Sequence, residues 1–167
     1  PASPDPLSKA RDPATVSERK WMSDHGWNES KFRALVGSLQ YLCLATRPDV
    51  AFAVGQLSRN VADPRPQHCV AALRILAYLR GTKDFVLAYS SDSSDGDFLR
   101  SVGWSDSDHA GCLDDRKSTS GFAFIFGNGA IAWKCKKQSI VARSSAEAEI
   151  SGDVAAGRID VRPVSTQ

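Results

Sequence analysis

Apolar residues follow two different periods along this chain. From Phe32 they recur at Leu35, Val36, Leu39, Leu42 and Cys43, and offsets of three and four lay one stripe along a helix. Ser30 stands ahead of that run as an N-cap, while Gly37 weakens the helix slightly or lets a neighbour approach. A second helix is expected from Thr46-Arg47-Pro48-Asp49: a capping hydroxyl, a proline in the first turn and an acid near the positive dipole end. Val50, Val54 and Leu57 form its apolar face. Asp63-Pro64-Arg65-Pro66 breaks the chain, and a third helix carries Cys69, Leu73, Leu76 and Leu79 before stopping at Gly81. The pattern then shortens. Residues 85–89 read as a short buried strand, the polar stretch 90–97 as a loop, and 98–106 and 121–126 as strands. Gly127-Asn128-Gly129 is a hairpin turn, because Gly and Asn tolerate positive φ, and residues 130–134 return as its partner. Ile140-Val141-Ala142 is short and apolar. Ser144 with Glu147 three residues later is a capping-box signature for a final helix. The expected class is α/β: a helical segment followed by a mixed sheet with an antiparallel three-strand start and a first helix.

Residues 1–30 are rich in Pro, Ser, Asp and Lys without sustained periodicity. They read as an extended lead-in, docked by Trp21 and Trp27. Composition adds bounds. At 167 residues, 42% hydrophobic and 24% charged, the chain belongs with folded globular proteins, and its length suits one domain, or one small domain and part of another. A net charge of only +2 excludes a uniformly basic nucleic-acid coat protein. No apolar run approaches the ~20 residues of a membrane helix, so no membrane partner is expected. The opening Pro1-Ala2-Ser3-Pro4 carries no signal pattern and leads to the expectation of a fragment or processed piece. Cys43, Cys69, Cys112 and Cys135 are far apart with no CxxC pair. They are expected to be reduced intracellular thiols, not a disulfide frame or a zinc site. Residues 1–90 hold 12 basic and 8 acidic groups, and residues 91–167 hold 9 and 11. A basic half beside an acidic half fits two regions with different work, though differences this small also arise by chance.

Candidate chemistry starts with acids. Trp104, Asp106 and Asp108 alternate in the expected strand, so both carboxylates would share a face. Adjacent buried carboxylates repel unless a cation lies between them, and Mg²⁺ suits one or two carboxylates plus waters. A strand end entering a polar turn, where Asp and Ser are common, explains the same residues more simply. Glu147 and Glu149 open the last helix, and one of them at most faces such an ion, since residues two apart diverge on a helix. The plainer reading makes Glu147 the capping acid and Glu149 a solvated neighbour. Lys134, Lys136 and Lys137 around Trp133 and Cys135 suit phosphate contact, or a strand edge kept charged against aggregation. Asp114-Asp115 beside Arg116-Lys117 reads as surface loop, and His109 as incidental. Phosphate-loop, dinucleotide-glycine, HExxH and nucleophile-elbow motifs are missing from the sequence.

Six ordered blocks carry a resemblance. Trp104-Ser105-Asp106-Ser107-Asp108-His109-Ala110-Gly111 resembles the tyrosine-x-Asp-Ala-Asp-Trp-Ala-Gly signature of copia-type retrotransposon Pol polyproteins. Asp115-Arg116-Lys117-Ser118-Thr119-Ser120-Gly121, Trp133-Lys134-Cys135-Lys136-Lys137-Gln138 and Val141-Ala142-Arg143-Ser144-Ser145-Ala146-Glu147-Ala148-Glu149 follow in the family's order. Upstream, Val36-Gly37-Ser38-Leu39-Gln40-Tyr41-Leu42 and Thr46-Arg47-Pro48-Asp49-Val50 resemble the segment after the polymerase palm, which Tyr78-Leu79-Arg80-Gly81-Thr82 closes. The match covers about residues 5–150.

The resemblance implies a helical reverse-transcriptase thumb or connection over residues 31–84, a partial ribonuclease H-like domain over 85–150 and a divergent tail over 151–167. That family cleaves the RNA strand of an RNA–DNA hybrid with four carboxylates and two Mg²⁺ ions. It implies catalytic and metal roles for Asp106 and Glu149, a lesser metal role for Asp108, and nucleic-acid contacts for Ser107, Lys134, Lys136, Lys137 and Arg143. The implied partners are an RNA–DNA hybrid or other nucleic acid and the remainder of the polyprotein, in a cytoplasmic particle and then the nucleus. The departures are as specific. The polymerase Tyr-x-Asp-Asp is absent, His109 replaces the family's Trp, and after Glu149 the match fails. Asp153 follows Glu149 too closely to be the family's next strand Asp, and Asp160 precedes Val161-Arg162-Pro163, a poor central strand. Two of four expected carboxylates are present, so little or no turnover is expected of this chain alone. The alternative is a non-catalytic nucleic-acid-binding remnant, with Arg47, Arg59, Arg65, Arg74 and Arg80 meeting phosphate, or a pseudogene product with no role.

Overall fold

The computed structural model describes residues 14–89, 102–108, 111–112 and 115–149. The chain divides into two compact units, Pro1–Phe85 and Val86–Gln167.

The first unit is helical: α1 (Val16–Asp24), α2 (Glu29–Ala45), a 3₁₀ turn (Pro48–Val50), α3 (Ala51–Ser58) and α4 (Pro66–Gly81). Helix α1 corrects the extended lead-in, of which residues 1–13 lie outside the described residues. Its cause is local. Thr15 Oγ1 accepts from the Glu18 N–H at 3.3 Å, and the Glu18 carboxylate accepts from the Thr15 N–H at 2.8 Å, a complete capping box. That backbone bond also holds the Glu18 carboxyl below its usual range. Helix α2 begins two residues earlier than expected, because Asn28 Oδ1, not Ser30, takes up the Lys31 N–H at 2.8 Å. Thr46 closes α2 by donating its N–H to Leu42 O. It caps no following helix, and the 3₁₀ turn starts without a side-chain cap.

Phe32, Val36, Leu39 and Cys43 bury the expected face of α2 against Val54 and Leu57 of α3. In α4 the face is rotated from the expected one. Cys69, Ala72 and Ile75 are buried, whereas Leu73 is 48% and Leu76 37% exposed. Apolar residues lie on both sides of α4, so spacing alone does not choose between the two stripes. Trp21 and Trp27 pack on this core, as expected for docking residues. Arg47, only 7% exposed, ties the end of α2 to the end of α4. Its guanidinium donates to both Asp49 oxygens at 3.0 and 2.7 Å, to Thr82 O at 3.1 Å and to Thr82 Oγ1 at 2.6 Å. The rings of Tyr78 and Phe85 lie 5.6 and 5.8 Å away.

The second unit holds an antiparallel sheet in the order β1 (Val102–Ser107), β2 (Thr119–Phe126), β3 (Gly129–Lys137). The β2–β3 turn is the expected one. Gly127 and Asn128 take φ of 56° and 61°, and positive φ at both central residues matches the twist of the flanking strands. Of the expected strand 98–106, residues 98–101 lie outside the described residues and the rest belong to β1. The expected strand 85–89 is absent: these residues carry no strand, and Phe85, Val86 and Tyr89 are exposed. A short apolar run does not by itself fix a strand. Here the Tyr89 hydroxyl instead donates to Ala130 O at 2.6 Å. Residues 145–149 form a helical turn. The whole is an α/β chain: helices followed by a three-strand antiparallel sheet.

Candidate functional site

Partners across an antiparallel ladder project to the same face. The register pairs Asp106 with Gly121 and Gly121 with Cys135; the next row is Trp104, Ala123 and Trp133. One face therefore presents Asp106 and a 67% exposed Trp104 beside Gly121 and Ala123, which leave the face shallow. The other face carries Ser105, Phe122 and Lys134, then Ser107, Ser120 and Lys136.

This register divides the expected basic patch. Lys134 and Lys136 are exposed on one face, whereas Lys137 follows Asp106 onto the other. Lys137 is also engaged, donating to Asp115 Oδ1 at 2.6 Å and to Cys112 Sγ at 3.0 Å. Burial alone would lower the Lys137 pKa, but the bonds to Asp115 and Cys112 outweigh it and raise it. The same hydrogen bond from Lys137 draws Asp115 down to about 2. The Ser107 hydroxyl is buried with no hydrogen-bond partner among the described residues, so it presents nothing to a phosphate at the surface. Arg143 is exposed and its N–H donates to Glu147 Oε2 at 2.7 Å. In the helical unit, Arg47 is committed to Asp49 and Thr82, and Arg65 pairs with Glu18 and Asp63 at 3.6 Å. Those two arginines are buried and so leave the set of surface phosphate contacts, while Arg74 and Arg80 are exposed.

The acids are not equivalent. Asp106 is exposed within β1. Asp108 lies just past β1, so strand alternation does not place its carboxylate beside that of Asp106. Its N–H donates to Thr119 O, and its carboxylate accepts the Thr119 N–H. Gly111 lies so close to that carboxylate that a Cβ there would collide with it. Asp108 thus fastens the start of β2. Glu147 is the capping acid, with a shift of one residue: Ser144 Oγ accepts from the Glu147 N–H at 3.2 Å, while the Glu147 carboxylate reaches Arg143. Glu149 is exposed at the end of the described turn. Gln138 is the residue that sequence reasoning passed over. Its Nε2 donates to Ser120 Oγ at 2.7 Å and to Ala148 O at 2.9 Å, tying the sheet to the turn that carries Glu149. Its position in a matching block was visible; its role needs the tertiary structure. Among the described residues, no three His, Cys, Asp or Glu side chains gather closely enough to hold a metal ion. A complete Mg²⁺ site is therefore not assembled from them.

Over 143 residues, 86% of its length, the chain is 41% identical to the retrovirus-related Pol polyprotein from transposon TNT 1-94 of Nicotiana tabacum. Its relatives at about 40% identity include retrovirus-related Pol polyproteins of plant transposons. It spans about 10% of that tobacco protein and 8% of the Pol polyprotein from transposon RE2 of Arabidopsis thaliana, to which it is 42% identical over 120 residues. It is also 42% identical over 118 residues to secreted RxLR effector protein 161 of Plasmopara viticola, covering 71% of this chain and 80% of that protein. No protein-family model and no solved structure matches the chain. Among the described residues of this Pol relative, no helix is long and apolar enough to cross a membrane.

Proposed function

We propose that this chain corresponds to the part of a copia-type Pol polyprotein that joins a reverse-transcriptase thumb or connection, residues 31–84, to the first strands and helix of a ribonuclease H domain, residues 85–150. Its physical task is to bind an RNA–DNA hybrid. The observation that supports this best is the sequence of elements in the second unit. An aspartate strand is followed by a hairpin, and Gln138 then ties the sheet to the turn bearing Glu149. In the intact family two Mg²⁺ ions activate water and stabilise the leaving oxygen. Asp106 and Glu149 are the side chains this chain would offer to such an ion. Asp108 and Glu147 are held by backbone N–H groups instead. Among the described residues no cluster of three donors accompanies Asp106 and Glu149. The non-catalytic binding reading is favoured over turnover by this chain alone.

Exposed Lys134 and Lys136 on one sheet face and exposed Arg143 are the proposed phosphate contacts. Each phosphate contact contributes a slope of about one in log K against log salt. Fluorescence anisotropy with a labelled hybrid should show affinity falling with salt, and Lys134→Ala with Lys136→Ala should reduce that slope by about two. A flat salt response, or an unchanged slope in the double variant, would sink this assignment.

A further inference from the structure

The second unit brings two nucleophilic side chains into contact. Cys112 is 9% exposed, in the connection before β2. Its N–H donates to Lys117 O at 3.2 Å, and its carbonyl accepts the Arg116 N–H at 2.8 Å. Arg116 takes a φ of 56°, the left-handed conformation of a tight turn. These bonds fix the backbone of Cys112. From the last residue of β3, Lys137 places Nζ 3.0 Å from that sulfur, and Asp115 anchors the ammonium from 2.6 Å. Residues 25 positions apart thus hold sulfur and nitrogen in contact. Cys43 and Cys69 lie in the apolar core, where burial pushes both thiols up to about 11 and makes them poor competitors.

We infer that Cys112 and Lys137 form a covalent S–N bridge when the protein meets a peroxide. The bridge is independent of the hybrid-binding reading. Hydrogen peroxide is the oxidant. The Cys112 thiolate attacks one peroxide oxygen: an S–O bond forms, the O–O bond breaks and hydroxide leaves. Sulfur is oxidised by two electrons and peroxide is reduced. The hydroxide takes a proton from the Lys137 ammonium, giving water and a neutral amine. The Nζ lone pair then attacks the sulfenic sulfur. An S–N bond forms, the S–O bond breaks, and the departing hydroxide leaves with a proton from nitrogen as a second water. Condensation of a sulfenic acid with a nearby nitrogen is established cysteine chemistry. The product staples the turn before β2 to the end of β3.

The test treats the whole chain with hydrogen peroxide, digests it with trypsin and reads the peptides by mass spectrometry. The expected result is a joined pair of peptides containing Cys112 and Lys137, lighter by two hydrogens than its separate parts. Cleavage after Lys137 should be blocked, and dithiothreitol should restore both peptides. Lys137→Arg keeps a cation beside Asp115 and should lose the joined pair, as should Cys112→Ser, with circular dichroism confirming that each variant folds. The wild-type spectrum decides the matter even if a variant does not fold. Cys112 recovered as a thiol or as a sulfinic or sulfonic acid, with normal cleavage after Lys137, would overturn the inference. So would a disulfide between Cys112 and Cys135.

Discussion

Replacing Arg47 should destabilise the helical unit more than any exposed substitution. The guanidinium is nearly buried and makes four hydrogen bonds, two to Asp49 and two to Thr82, under the rings of Tyr78 and Phe85. Removing one member of a fully buried ion pair costs about 3–5 kcal/mol, because the partner is left charged and unmatched. Asp49 keeps 30% of its side chain exposed, so water recovers part of that loss. The Thr82 carbonyl and hydroxyl each forfeit a charged donor, which half-exposed Thr82 replaces in part with water. Taken together, Arg47→Ala should cost about 3 kcal/mol, more than a hundredfold in the folding equilibrium. Arg47→Lys keeps the charge but loses the planar fork, and should cost about 2 kcal/mol. The assay is urea denaturation followed by tryptophan fluorescence. Trp21 and Trp27 report the helical unit and Trp104 and Trp133 the sheet, so the chain with Phe at positions 104 and 133 isolates the first. A shift below about 0.5 kcal/mol in Arg47→Ala, the range of ordinary surface substitutions, would refute the reasoning.

Two further outcomes follow from the sheet unit. Gly127→Val forces a branched side chain to a φ of 56°. It should destabilise the hairpin by about 1–2 kcal/mol, which amide exchange in β2 and β3 would report; unchanged protection would contradict the turn assignment. The carboxyl of Asp115, held down by the hydrogen bond from Lys137, should titrate near pH 2 by NMR and return toward its ordinary 3.8 in Lys137→Met. Because its folded pKa is depressed, its contribution is complete above the ordinary value and is lost as pH falls toward 2. A midpoint unchanged by the substitution would break the Lys137–Asp115 link.

Local signals were the legible ones. The α2 stripe, the Gly127-Asn128 turn and the Ser144 cap each depend on neighbours within a few residues, and each is present. Helix α1 was equally legible: Thr15 and Glu18 have the same spacing as Ser144 and Glu147, but the polar surroundings hid it. The split of the lysines also follows from a period of two, which sets Lys137 apart from Lys134 and Lys136. The rotation of α4 was not legible, since only packing against its neighbours chooses Ile75 over Leu76. Nor was the site. The Asp108 carboxylate turns to the backbone of a residue 11 positions away, Gln138 spans 18 positions to Ser120, and Lys137 reaches back 25 to Cys112. Contacts of that span depend on the register of the sheet, which no local pattern contains.

The most direct measurement is a gel assay of a labelled RNA–DNA hybrid with Mg²⁺, run with this chain and beside it Asp106→Asn. The expected result is a retarded hybrid with both proteins, weakened by added salt, and intact RNA in both lanes. A hybrid that is never retarded would contradict the binding function. RNA cleavage that vanishes in Asp106→Asn would contradict the inactivity of the chain on its own.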